Sequence, residues 1–268
     1  MYRMSKPFGS ILKNAPPFTI ATADGIEKRF TGSFFLRLGL ALFGLPHLGL
    51  RMRYREVVRL ISFKGNDIFL DAGCGIGTYC LSLANRFKRG QGVDLDKDKI
   101  KTAKVIAELS GFRNLDFAVA DICRLPFSDN TFDKVLCSEV IEHIDDDLKA
   151  ISELNRVLKK NGVLVLTTTS KINLNIQQKS SFRHARIGYS IQDLQSLFKH
   201  SNLNIRRIKP YGLFFGRLAW RLNRSCFKSN VLTALTFYPL SLLSMIDKFM
   251  PEKRDGSCIG YIIKLEKQ

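Results

Sequence analysis

Residues 69–80, FLDAGCGIGTYC, carry an acidic side chain, Asp71, at the end of a short apolar run, followed by glycines at 73, 75 and 77. Glycines this close let the backbone turn tightly and approach a ligand, because no Cβ blocks positive φ. The spacing argues against two nucleotide sites. A dinucleotide fingerprint, G-x-G-x-x-G, counted from Gly73 and Gly75 needs its third glycine at 78, where Thr78 stands. A phosphate-cradling loop needs Gly-Lys-Ser or Gly-Lys-Thr, and neither follows. Asp71 would also repel a phosphate. A phosphate-free ligand remains, beside the plainer alternative of a strand-to-helix turn with a capping aspartate.

A second group of reactive side chains lies in CSEVIEHIDDD, residues 137–147. Glu139, Glu142 and His143 stand at i, i+3 and i+4, a spacing that brings all three to one side of a helical turn. His143 is a base for chemistry near neutral pH. Two carboxylates and an imidazole are also ligands for a divalent cation, which lowers the pKa of a bound hydroxyl. The same letters equally describe a hydrogen-bonded loop with no metal. Asp145–Asp147 read as caps for the helix that follows.

These groups need elements to hold them. Between residues 66 and 169, DIFLDAG, GQGVDLD, LDFAVAD, FDKVLCSE and GVLVLTTT read as buried strands. DDLKAISELNRVLKK places Leu148, Ile151, Leu154, Val157 and Leu158 on one helical face. Alternating strands and helices predict an α/β fold with a parallel sheet, whose ligands sit at the carboxyl ends of the strands. Asp71, Asp94, Asp121 and Glu139 all fall at such ends. Asp96 reads as the cap of the helix that begins KDKIKTAKVIAEL.

The stretch LDAGCGIGT resembles motif I of the class I S-adenosylmethionine-dependent methyltransferases. The resemblance continues through GVDLD (92–96), ADICRLPFSDNTFDKVLCSEVIEHI (120–144) and VLKKNGVLVLTTT (157–169), and covers roughly residues 60–210. It is to the broad group that includes quinone-biosynthesis methyltransferases. It implies a Rossmann-like seven-stranded sheet, mostly parallel with an antiparallel last strand and helices on both faces. It places Asp71 near the donor's ammonium, and Ala72, Gly73, Gly75 and Gly77 along its methionine and ribose. Asp94 accepts from the ribose hydroxyls, Leu95 covers the adenine, Asp121 accepts from the adenine amino group, Ile122 packs on the ring, and Ser138 lines the pocket through its backbone. The E-x-x-E-H pattern is similar to the metal-binding segment of ubiquinone-pathway O-methyltransferases and small-RNA 2′-O-methyltransferases. His184, ahead of the next helix, would then be a fourth ligand with Glu139, Glu142 and His143. Many metal-free members share the letters, and the metal-free reading is the expectation taken here.

Composition adds a partner. Lys and Arg number 42 against 24 Asp and Glu, a net charge of +18 that implies an anionic surface or substrate. Residues 205–228 hold seven basic residues and no acidic one, interleaved with Tyr211, Phe214, Phe215, Trp220 and Phe227. Residues 27–60 repeat the mixture with Arg37, Arg51, Arg53, Arg55 and Arg59 among leucines and phenylalanines. Neither 33–50 nor 231–250 offers the roughly 20 clean apolar residues of a span. The N-terminus lacks the pattern of a secretory signal. The six cysteines show no metal-type spacing and read as reduced, structural thiols.

The expected organisation is a basic, apolar helical flank (1–60), a methyltransferase core (61–210), a lid or membrane-contact segment (211–257) and a last core strand (258–268). The expected function is methyl transfer to a small, apolar or lipid-linked acceptor, O-methylation favoured. His143, Glu142 and Glu139 are the catalytic candidates. The expected location is cytoplasmic, peripheral on the inner membrane face. Two alternatives stand beside it: an RNA methyltransferase that uses the basic, aromatic flanks, and a cofactor-binding scaffold without turnover.

Overall fold

The computed structural model describes residues 48–171, 186, 188–199, 201–226, 239, 240, 242–249 and 258–268. The flank up to residue 47, His184, and most of 227–257 lie outside the described residues. In chain order the elements are α1 (Leu48–Ile61), β1 (Ile68–Ala72), α2 (Thr78–Leu83), β2 (Arg89–Asp94), α3 (Lys97–Ser110), β3 (Leu115–Val119), β4 (Phe132–Ser138), α4 (Asp147–Val157), β5 (Leu158–Thr169), α5 (Ile191–Phe198), β6 (Leu203–Tyr211), α6 (Phe214–Cys226) and β7 (Gly260–Lys267). The seven strands follow the order β3-β2-β1-β4-β5-β7-β6; β7 runs antiparallel to both β5 and β6, and the other pairings described are parallel. This is the expected Rossmann-like sheet. Among the described residues no helix is long and apolar enough to cross a membrane.

Two compact units make up the chain. In the first, β1, β2 and β3 pair in parallel, and α3 packs on β2 and β3. Phe63, Phe69 and Phe87 form a cluster with ring centroids 5.1–5.4 Å apart. The turn after β1 holds Gly73, Gly75 and Gly77 at φ of 80°, 55° and 82°. The three differ in what they demand. A Cβ on Gly75 would meet nothing within 4 Å, so only its backbone angle favours glycine there. A Cβ on Gly77 would lie 2.7 Å from the Phe117 ring, which fills the space between turn and sheet. Gly77→Ala is therefore expected to lower stability by about 2–4 kcal/mol and Gly75→Ala by about 1 kcal/mol, read as denaturant midpoints. Equal losses would show that the Phe117 contact has no part in the difference.

In the second unit β5 is the central strand. Leu164, Val165 and Leu166 are fully buried, and β5 pairs in parallel with β4 and antiparallel with β7. α1 packs on β4, β5 and β7 through Val57 and Ile61, and α4 packs on β5 through Ile151 and Leu154. Asp96 caps α3 as expected, accepting from the backbone N–H groups of Asp98 and Lys99. Of the three successive aspartates, only Asp146 is seen capping α4 with its side chain, accepting from Lys149 N. Asp147 departs from its expected role. It is buried, accepts the Tyr189 hydroxyl (2.9 Å) and pairs with Arg186 (2.6 Å), so it ties a later loop to the start of α4.

Residues 205–226 are not one amphipathic segment. They divide into β6, an edge strand, and α6, because Gly212 at φ 62° breaks the chain between them.

Candidate functional site

The first unit gathers carboxylates around the glycine turn. Gly73 and Cys74 donate their N–H groups to Val93 O (2.7 and 2.8 Å), which pins the turn to β2. That places it against Asp94, the last residue of β2. Asp94 Oδ2 accepts from Gly75 N (2.8 Å) and Oδ1 from Asp96 N (2.9 Å). One backbone donor on each oxygen fixes the carboxylate plane and leaves a further lone pair on each. Asp71 stands one residue before the end of β1 and is only 1% exposed. Its Oδ2 is buried without a hydrogen-bond partner. Burial, then the negative charge of Asp94, push its carboxyl up to about 7; the Cys80 backbone and thiol offset this only in part. A buried carboxylate with one unsatisfied oxygen is a seat for a cation or a strong donor.

The other predicted residues of this region are more open. Leu95 is 70% exposed directly after Asp94, Asp121 is exposed, and Ile122 is buried.

In the second unit the end of β4 carries the group that the E-x-x-E-H spacing singles out. Glu139 follows β4 directly at φ 59°, a left-handed conformation that a non-glycine residue adopts at a cost of order 1 kcal/mol. Its backbone N–H bonds Thr167 O (3.0 Å) on β5, which holds it there. Its Oε1 accepts from Thr167 Oγ1 (3.0 Å) and from the Tyr211 hydroxyl (3.1 Å) at the end of β6. Since Thr167 donates to Glu139, it receives the Ser138 hydroxyl (2.9 Å). Burial, then the charge of Glu139, hold the Tyr211 phenol well above its ordinary range, so it remains a donor.

Glu142 lies in the 3-10 turn Ile141–His143 and is 1% exposed. Its Oε2 accepts from Thr168 Oγ1 (3.1 Å) on β5. Burial first, then the nearby charge of Glu139, push its carboxyl well above the ordinary carboxylate range, and Arg53 on α1 lowers it only in part. His143, by contrast, is exposed. The turn therefore does not bring Glu139, Glu142 and His143 to one side. Successive residues of a tight turn diverge, and burial of Ile141 and Glu142 directs His143 outward. Among the described residues no three His, Cys, Asp or Glu side chains assemble as a metal site.

The family model described as a methyltransferase domain matches residues 63–207, more than half of the chain. The chain belongs to the methyltransferase domain family. Norajmaline N-methyltransferase of Rauvolfia serpentina is 35% identical over 113 residues, 41% of this chain and 39% of that protein. The ubiquinone/menaquinone biosynthesis C-methyltransferase UbiE of Rickettsia felis is 35% identical over 156 residues, 56% of this chain and 61% of that protein. The chain thus spans less than two thirds of the length of either relative. Among solved structures, the [4+2]-cyclase SpnF is similar with a TM-score of 0.57 and 18% identity over 81% of this chain and 80% of that one, which shows the fold.

Several polar residues around the β4 end escape a reading by spacing. Tyr211 sits in the basic, aromatic stretch, yet it is buried at the mouth of β6 and bonds Glu139. Arg53 counts among the arginines of the flank, yet its Nε is buried and its charge acts on Glu142 and Tyr211. A signal for it exists: Arg53 precedes Val57 and Leu60 by four and seven residues, on the buried face of α1. Thr167 and Thr168, fully buried in β5, belong to the TTT run that the sequence offers only as strand.

Proposed function

We propose that the chain transfers a methyl group from S-adenosylmethionine to a small, apolar or lipid-linked acceptor, with a hydroxyl oxygen as the favoured target. The observation that carries the donor half is the pairing of Asp71 with Asp94 around the glycine turn. The unsatisfied Asp71 Oδ2 would receive the donor's ammonium. Asp94, held flat by Gly75 and Asp96, would accept both ribose hydroxyls on its remaining lone pairs. Gly73, Gly75 and Gly77 would admit the methionine and ribose, with Ala72 at the strand end. Leu95, exposed beside Asp94, would cover the adenine, whose amino group Asp121 would meet. When bound, the donor supplies a methyl carbon activated by a sulfonium.

Displacement at that carbon depends mostly on alignment, and a base is needed only where the acceptor must lose a proton. Glu139 is the better base than His143. Its carboxylate is oriented by Tyr211 and Thr167, and it sits in a strained conformation at a strand end. A carboxylate that takes a proton suits a hydroxyl acceptor. Glu139 would take the proton that a hydroxyl acceptor gives up on accepting the methyl group. Ser138 would act through Thr167, orienting that carboxylate. The relatives named above methylate nitrogen and carbon by their names, so the atom rests on this base.

Asp71 makes donor binding pH-dependent. An ammonium favours the ionised carboxylate, so binding expels the proton that Asp71 holds below about 7. Donor affinity is expected to rise by up to about tenfold per unit between pH 5.5 and 6.5, below the α-amino range near 8, and calorimetry should detect proton release. Asp71→Asn should weaken binding and flatten this profile. A wild-type profile already flat would remove Asp71 from the ammonium.

Incubation with methyl-labelled donor and separate lipid, RNA and polar-metabolite extracts tests the acceptor class. Label is expected in the lipid fraction. Label in RNA would replace this reading with the RNA methyltransferase, and binding without label in any fraction would favour a scaffold.

A further inference from the structure

α6 buries one face and leaves another open. Ala219 is fully buried against Leu48 and Leu240, with Met52, Trp220 and Leu243 packed around them. Phe214, Leu218 and Leu222, four residues apart, form a single stripe along the other side. Leu242 and Ile246, again four apart, are exposed on the segment that Asp247 ties to the start of α6. These five side chains are between 40% and 66% exposed, and they are half of the ten large apolar side chains exposed among the described residues. The two segments are fixed to each other. Asp247, next to Ile246, accepts from Phe215 N (2.9 Å) and Gly216 N (2.8 Å), so it caps α6 from 31 residues away.

The charge on α6 itself has one sign. α6 contains Arg217, Arg221 and Arg224 and no acidic residue. Arg217 and Arg221 follow Phe214 and Leu218 by three positions, which sets them beside the stripe.

We propose that α6 and residues 242–249 dock the protein on an anionic lipid surface, with the apolar stripe in the interface and the arginines among the headgroup phosphates. Charge complementarity chooses this occupant. A second copy of a chain with net charge +18 would set arginines against arginines. RNA would satisfy the cations and leave five large apolar side chains in water. The inference stands apart from the methyl-transfer reading, since it uses no residue of the donor or base groups.

The test is flotation of the full chain with vesicles of phosphatidylcholine alone or mixed with phosphatidylglycerol. The single tryptophan, Trp220 on α6, serves as a second readout. Expected are co-flotation with the anionic vesicles at least tenfold above the neutral ones, and a blue shift of Trp220 emission. L218E/L222E should lose at least tenfold of this partition while the circular dichroism melt and donor binding stay unchanged. The milder L218Q/L222Q should lose less. Equal flotation of wild type and both stripe variants would overturn the proposal. So would absence of flotation together with a mobility shift on single-stranded RNA, or a concentration-dependent dimer that the stripe variants abolish.

Discussion

Asp94→Ala is expected to weaken S-adenosylmethionine binding about 100-fold or more, since two hydrogen bonds to a charged acceptor are worth roughly 1.5–3 kcal/mol each. The effect has two parts. The alanine removes the acceptor for both ribose hydroxyls, and it releases Gly75 N and Asp96 N from the carboxylate that sets the shape of the turn. Both N–H groups lie near solvent, so water replaces their partner, and the donor-free protein should lose only about 1 kcal/mol of stability. Asp94→Asn separates the parts. An amide can accept from one of the two backbone donors and must turn its NH2 toward the other, so affinity should fall between wild type and alanine. Calorimetry on the three proteins reads the result. Unchanged affinity in Asp94→Ala would falsify the ribose assignment while leaving Asp71 untouched.

The sequence makes β1, β4 and β5 legible because each carries a short apolar run, as a strand buried on both faces must. β6 escapes the same criterion. It is one of the two edge strands of the sheet, with one side unpaired, and Arg206, Arg207 and Lys209 are charges of the kind that protect such an edge. A basic strand then merges by composition with the basic helix α6. The grouping proposed for the donor is visible for a related reason: Asp71, Asp94 and the glycines are set by backbone angle and strand position, which spacing records. The acceptor side is not, because Glu139 meets Tyr211 across 72 residues and Glu142 meets Thr168 across 26. Periodicity carries no information about partners brought together by sheet order.

That long-range pairing predicts different outcomes for the two glutamates that the spacing treats alike. Glu139→Gln removes the base and is expected to lower kcat about 100-fold or more with little change in KM, within the range for a positioned general base. His143→Asn, on the exposed side of the turn, should leave kcat within about threefold of wild type, far below a base's share. Glu142→Gln keeps an oxygen for Thr168 and mimics the protonated carboxyl, so its signature is thermodynamic. Burial and the charge of Glu139 raise the Glu142 pKa from 4.5 past neutrality in the folded protein, whereas the unfolded chain ionises near 4.5. Across that window the folded state holds a proton that the unfolded state has lost. Stability therefore falls as pH rises, and the fall ends once the raised pKa is passed. The glutamine variant has no such proton. Matched denaturant curves should coincide near pH 4.5 and diverge upward, the variant gaining on the order of 2 kcal/mol by pH 8.5. Asp71 titrates in both proteins and cancels in the difference. A variant that tracks wild type at every pH would mean that Glu142 is ionised in the fold, and Arg53 would then be its counter-ion.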